Sequence, residues 1–338
     1  MFKQLVLALV LVWLARRALR RPTRRIALAP AHERVAILGA STLDGLGAAL
    51  LREYIERGTK QITIVGRRRE ALEAVRDAAL AAHPGTHAQV SIFAADCTRA
   101  ADVVALRTHL EQAYGGLDTV HIVFGITSVL PLLGVADADP LGVNAGDGAP
   151  TAAAPDAAGL ERIAHTTMHS AHANVAGTAV VLGALIPLLQ TTSARPAVAV
   201  TGSVAGLVYA PTRSIYCATK AAQHFLVNSV ALECDTQAGL PAPGGTRRAH
   251  VRFLIVAPGP IRNSFVAKYA VDSAGGPRDD RTNALDVADV ARAAVARLDY
   301  EAFGMLVIPA YAFAASIAAQ FSATRALVAR VSHRLYRY

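Results

Sequence analysis

A short apolar run, Arg34 to Leu38, ends in Gly39-Ala-Ser-Thr-Leu-Asp-Gly45-Leu-Gly47 and passes at once into a helix-like segment, Ala48 to Arg57. Strand, glycine turn and helix N-terminus in that order make an anion site, because glycines let the backbone approach a pyrophosphate and free amides and the helix dipole point at it. The pattern then repeats without the glycines. Apolar runs at Gln61–Val65, Gln89–Ala94, Thr119–Phe124, Ala197–Val200, His250–Val256 and Met305–Ile308 alternate with helical stretches. The helical stretches are expected at Glu70–Ala82, Ala101–Tyr114, about Leu160 to Leu189, Ala221–Glu233 and Leu285–Leu298. This rhythm describes an α/β fold, a doubly wound parallel sheet with short right-handed crossovers. Hydrophobic residues at 53% with aromatics at only 6% suit buried parallel strands under alanine-rich helices.

The formal charge of +9 is unevenly spread: residues 1–31 hold Lys3 and six arginines between Arg16 and Arg25 with no acid. That argues against a nucleic-acid surface on the folded domain and for a membrane or targeting role at the terminus. Leu5 to Leu14 is continuously apolar, about half of the roughly 20 residues that span a bilayer. A short spanning anchor, an interfacial helix and a mitochondrial presequence all stay open. An anchor would keep its arginines, and the domain after them, on the cytosolic side, which suits the endoplasmic reticulum, with the mitochondrion as the alternative. From Pro309 the chain is again apolar, Ala310 to Phe321, and then carries Arg325, Arg330, Arg334 and Arg337. A second membrane contact and a helix packed on the domain or a dimer partner are equally compatible with that segment. The expected division is therefore a basic, apolar segment at 1–31, one α/β domain at 32–309 and an apolar, basic extension at 310–338. Within the domain, the Ala-, Gly-, Asp- and Pro-rich tract from Gly134 to Gly159 is expected to be a mobile insertion. Cys97, Cys217 and Cys234 lack paired or metal-like spacing and read as reduced thiols, with no metal site.

Chemistry concentrates between Val200 and Lys220. Ser203 stands at the tip of a strand, and Tyr216 and Lys220 lie one helical turn apart, on one face. An ammonium beside a phenol favours the phenolate and eases proton transfer near neutral pH, and the Ser203 hydroxyl is placed to hold the oxygen that takes the proton. After the second strand comes Gly66-Arg67-Arg68-Arg69. In a Rossmann unit an acid at that point binds ribose hydroxyls, whereas arginine suits a 2′-phosphate. Arg67, with Arg68 second, therefore points to NADP(H), although a solvated basic turn fits the same residues. Asp96, after the third strand, is placed at the adenine edge.

In this order, the glycine turn, Asp96, Leu117-Asp118 leading to Gly125, Asn174-Val-Ala-Gly, Ser203, Tyr216-x-x-x-Lys220 and Pro258-Gly259-Pro-Ile261 resemble the short-chain dehydrogenase/reductase family in its classical form. The apolar termini make it similar to membrane-associated members that reduce steroid, retinoid or lipid ketones. The resemblance covers Val35 to Pro309 and implies a single Rossmann domain with a parallel sheet of about seven strands, usually a homodimer or homotetramer. It also implies interconversion of a ketone and a secondary alcohol with a nicotinamide nucleotide, here on a small lipophilic substrate. By resemblance, Tyr216 is the general acid or base, Lys220 lowers its pKa and binds the ribose, Ser203 bonds the substrate oxygen and Asn174 holds a relay water. The cofactor would lie on Gly39, Ser41, Gly45, Leu46, Gly47, Arg67, Asp96, Cys97, Gly125, Tyr216, Lys220, Pro258, Gly259 and Ile261. Two departures bear on cofactor binding. The turn has five residues between Gly39 and Gly45, where the family usually has three. Ile122-Val-Phe-Gly125 stands where the family has Asn-Asn-Ala-Gly. They leave a second reading, a non-catalytic membrane-attached scaffold or nucleotide sensor.

Overall fold

The computed structural model describes residues 22–138, 154–273 and 284–319, with 321, 323–324, 326–328 and 330–331 beyond them. The apolar run at 5–14 with Arg16 to Arg21, most of the expected insertion (139–153), positions 274–283 and the last arginines lie outside the described residues. In chain order the elements are α1 (Thr23–Ala27), β1 (Arg34–Leu38), α2 (Leu46–Glu56), β2 (Gln61–Gly66), α3 (Arg69–Ala81), β3 (Gln89–Ala94), α4 (Ala100–Tyr114) and β4 (Thr119–Ile122). There follow α5 (Leu132–Val135), α6 (Ala157–Ala171), α7 (Gly177–Thr192), β5 (Ala197–Thr201), α8 (Ser214–Gln237), β6 (Arg252–Pro258), α9 (Phe265–Tyr269), α10 (Val287–Asp299), β7 (Gly304–Ile308) and α11 (Tyr311–Ala318).

Among the described residues the strands form one seven-stranded sheet in the order β3-β2-β1-β4-β5-β6-β7, every pairing parallel. Strand periodicity divides each strand between two cores. Val35, Ile37, Ala197, Ala199, Leu254 and Val256 face α2, α3 and α10, whereas Ala36, Leu38, Val198, Val200, Phe253 and Ile255 face α4, α7 and α8. Both faces are covered, and this is why the strands read as continuous apolar runs. The chain order reverses between β1 and β4, so the crevice for a ligand opens at their carboxyl ends, beside Gly39 and Gly125.

Some boundaries differ from the sequence reading. β4 stops at Ile122 because the amides of Val123 and Phe124 both turn to the Leu38 carbonyl. The helix expected at Leu160 to Leu189 runs from 157 to 192, through a π-turn at His172–Ala176 and past Pro187, which lies inside α7. It is long and apolar enough to cross a membrane by length and composition, yet it buries Val181, Leu185, Leu188 and Leu189 in the core. The tract at 134–159 is shorter than expected. Gly134 and Val135 belong to α5, and Asp156 caps α6 by accepting the Gly159 amide at 2.7 Å.

At the amino ends of the strands, opposite the crevice, the basic segment enters the domain. Arg24 is 2% exposed and pairs with the fully buried Glu33 at 2.7 Å, while Arg57 bridges Glu33 (3.3 Å) and Asp299 (2.7 Å). Thr119 donates to Glu33 and accepts from Arg24, and next to them the Tyr54 hydroxyl meets His121 Nε2 at 2.8 Å.

Candidate active site

A cavity of about 870 Å³ runs along the carboxyl ends of the strands. Its first stretch is the glycine turn. Gly39 has φ +102°, and a Cβ there would stand 2.5 Å from the Phe124 amide nitrogen, so only glycine allows β1 and β4 to part this closely. The two extra residues form a β-turn, closed by the Gly45 amide on the Thr42 carbonyl at 3.0 Å. Asp44, in that turn, accepts from the amide (2.8 Å) and hydroxyl (2.7 Å) of Ser264. The lengthened turn is thus tied to the segment after β6. Helix α2 starts at Gly45 with no side chain capping it, which leaves its first amides for an anion.

Gly39, Ser41, Gly45, Leu46, Arg67, Asp96, Cys97, Gly125, Pro258, Gly259 and Ile261 all line the cavity, together with Ser203, Tyr216 and Lys220. Two expected residues do not. Gly47 packs behind the turn, where a Cβ would lie 2.6 Å from the Gly39 carbonyl oxygen, and Asn174 is fully buried behind Gly125. Its side chain clamps the segment after β4, with Oδ1 accepting from the Ile126 amide (2.9 Å) and Nδ2 donating to the Ile126 carbonyl and Thr219 Oγ1 (both 3.0 Å). Its carbonyl accepts from Gln223 Nε2 at 3.1 Å and from Thr178 Oγ1 at 2.8 Å.

Tyr216 and Lys220 occupy consecutive turns of α8, with the ammonium 5.9 Å from the phenol ring centroid. Lys220 Nζ donates to the Thr201 carbonyl and to Gln223 Oε1, both at 2.9 Å. Burial pulls Lys220 down from 10.5 to about 7, since an apolar surround disfavours the charged form. Ser203 is set by His224, whose Nε2 accepts the Ser203 amide at 3.3 Å. The imidazole fills space that a side chain at Gly202 or Gly206 would invade, and burial, with Lys220 adding to it, lowers its pKa to about 4. The Ser203 hydroxyl accepts from the Ala205 amide at 3.1 Å, leaving its own proton to donate.

At the other end of the cavity, Arg68 reaches Ser41 Oγ (3.4 Å) and the Tyr269 hydroxyl (3.3 Å), which also meets Thr42 Oγ1 at 2.8 Å. Although burial works against the phenolate, Thr42 and Arg68 together lower the pKa of Tyr269. Asp96 faces Arg67 in the same way: burial raises its carboxyl, while Thr98 and Arg67 bring it below the ordinary range. Thr42, Gln223, His224 and Tyr269 escaped the sequence reading. Gln223 alone left a signal there, a polar residue one turn beyond Lys220. The apolar end is lined by Val204, Val208, Phe265 and Val266, with Tyr311, Ala315, Leu327 and Val331 from the C-terminal extension. The uncapped helix start, the paired arginines and the cavity's length fit a nicotinamide dinucleotide.

The short chain dehydrogenase family model matches residues 33–273, and the chain belongs to that family. It is therefore an oxidoreductase of the dehydrogenase/reductase type. Among solved structures it is similar to a short chain dehydrogenase/reductase from Burkholderia phymatum in complex with NAD, at 18% identity and TM-score 0.63, covering 85% of this chain and 93% of that one. A short-chain dehydrogenase from Streptomyces avermitilis aligns at 21% identity and TM-score 0.60, over 88% and 94% of the two chains. An alcohol dehydrogenase from the archaeon Thermococcus sibiricus, complexed with 5-hydroxy-NADP, aligns at 19% identity and TM-score 0.57, over 82% and 96%. At these identities the likeness concerns the fold. No curated protein sequence matches this one.

Proposed function

We propose that the protein is a membrane-associated, NADP(H)-dependent reductase that interconverts a lipophilic ketone and its secondary alcohol. The observation that carries this reading is the continuity of one cavity, from Arg67, Arg68 and Ser41, past Ser203 and Tyr216, to the apolar wall of Tyr311, Leu327 and Val331. The arginines with Ser41 and Thr42 supply donors for a 2′-phosphate. Bound nicotinamide supplies or accepts the hydride. Ser203 donates to the carbonyl oxygen, Tyr216 passes it the phenolic proton, and protonated Lys220 stabilises the phenolate left behind. The C-terminal extension exposes Phe313, Ile317, Phe321 and Leu327 beside the cavity mouth and carries arginines after them, which suits an anionic bilayer surface and a substrate that arrives from it. A cytosol-facing site on the endoplasmic reticulum is the location this implies, with the mitochondrion as the alternative. Phe225 and Leu232 on α8 and Met168 on α6 are exposed and suit a homodimer or homotetramer.

The test is fluorescence titration of the full chain with NADPH and NADH, followed by turnover in detergent of a panel of lipid ketones. At least tenfold tighter NADPH and reduction of one class of ketone are expected. Equal affinity sinks the NADP assignment. The scaffold or sensor reading is favoured by Asp44, a carboxylate placed in the glycine turn itself; a sensor predicts nucleotide binding without turnover. Absence of binding to either nucleotide ends the enzyme and sensor readings and leaves the scaffold.

A further inference from the structure

Gln223 is fully buried and stands three residues after Lys220, on the same side of α8. Its side chain joins two parts of the site. Oε1 accepts from Lys220 Nζ at 2.9 Å, and Nε2 donates to the Asn174 carbonyl at 3.1 Å and to Thr178 Oγ1 at 2.8 Å. The amide can point only this way round, since the Asn174 carbonyl has no proton to give to Oε1. The Thr201 carbonyl takes a second Lys220 proton, so two of the three N–H bonds are committed to the wall and the third is left for the cavity that Lys220 lines.

We propose that Gln223 is a positioning residue of the reaction: it fixes the orientation of Lys220 and joins it, as a covalently held bridge, to the Asn174 carbonyl, in the place where the family resemblance puts a relay water at Asn174. This deepens the reductase reading and rests on it for the role of Lys220. A bound water can reorient and exchange. A side-chain amide hydrogen-bonded at both ends holds Lys220 in one geometry without being ordered anew in each turnover. The other titratable groups at Lys220 are the Tyr216 phenol, 5.9 Å from Nζ by ring centroid, and His224 on the next turn.

The test uses the full chain and needs neither substrate nor cofactor. The sequence has four lysines, Lys3, Lys60, Lys220 and Lys268, so labelling lysine with ¹³C at Cε gives four signals, and Lys220→Arg identifies the one that matters. Two variants of nearly the same size, Gln223→Glu and Gln223→Met, disturb packing alike but change the acceptor in opposite ways. The proposal expects the Lys220 midpoint to rise by about one unit or more with glutamate and to fall by about half a unit with methionine. In any ketone reduction found, the pH limb of kcat/KM should move in the same two directions. Midpoints that stay put, or that shift together, overturn the proposal; should one variant not fold, the direction of the other decides. If the midpoints separate as expected while no ketone is reduced, the positioning of Lys220 stands and it is the reductase reading that fails.

Discussion

At Tyr216 and Lys220, burial decides which proton state the site works in. With the Lys220 pKa drawn from 10.5 to about 7, the ammonium is present below that pH and lost above it. Loss of the ammonium would raise the cost of the phenolate that the proposed carbonyl reduction would leave on Tyr216. Reductive kcat/KM is therefore expected to be flat on the acid side and to fall above about pH 7, which a stopped-flow or steady-state pH series reads directly; a profile flat to pH 9 contradicts this role for Lys220. The same shift bears on folding. Between about 7 and 10.5 the unfolded chain holds the proton that the folded chain has given up, so this residue makes stability rise with pH across that window. Tyr216→Phe removes the transferable proton and little else. It is expected to lower turnover by about a thousandfold, inside the 10²–10⁴-fold that a general acid typically contributes, while NADPH titration stays within twofold.

Segments far apart in sequence close the cavity as a unit. The stretch from Ser264 to Asp272 crosses the crevice and is tied at both ends and in the middle: by Asp44 to the glycine turn, by Tyr269 to Thr42 and Arg68, and by Asp272 to the loop after β4. The Asp272 carboxylate accepts from the Ser128 hydroxyl at 2.6 Å and from the amides of Val129 and Leu130. Hydrogen bonds to a charged group are worth about 1.5–3 kcal/mol each, and their loss favours local opening over global unfolding. Asp272→Ala is therefore expected to speed trypsin cleavage after Lys268 by roughly tenfold or more with little change in Tm, as followed by peptide mass spectrometry; an unchanged rate would mean that the remaining ties suffice, among them the backbone bonds of Thr127 to Tyr269 and Val271. Such cross-chain ties explain what was legible in the sequence and what was not. Strands buried on both faces, glycine turns and a Tyr-Lys pair one turn apart are local patterns, and each element appears near its expected place. The helix expected to end near Leu189 carries on to Thr192 with Pro187 inside it, and Leu188 and Leu189 are buried in the core. Tyr269 meeting Thr42, or Val331 reaching the cavity, depends on contacts between distant positions that carry no periodic signal.

Across the whole molecule the two ends of the sheet do different work: the carboxyl ends hold the reactive groups, and the amino ends hold a buried ionic cluster that docks the N-terminal segment. Burial opposes the charge on Glu33, but Arg24 and Arg57 outweigh it and lower its pKa below the ordinary 4.5. A carboxylate lowered in this way adds stability above its unfolded pKa and loses it as pH falls through the folded value. Asp299, whose burial and whose neighbour Glu33 raise it despite Arg57, contributes with the opposite sign, so the acid limb reports the sum of the two and the part due to Glu33 is read from the difference made by removing Arg24. Breaking one partner of a buried ion pair typically costs about 3–5 kcal/mol, because the other charge is left in the interior. Arg24→Ala is expected to cost about that much at pH 7 in chemical denaturation. The cost should shrink as pH falls below 4.5, where protonated Glu33 no longer needs its partner. Because Arg24 lies at the far end of the strands from Gly39 and Tyr216, nucleotide affinity measured by fluorescence should stay within twofold. A loss of affinity as large as the loss of stability would show that the two ends of the sheet are coupled, and that the segment leading in from the apolar N-terminus takes part in shaping the site.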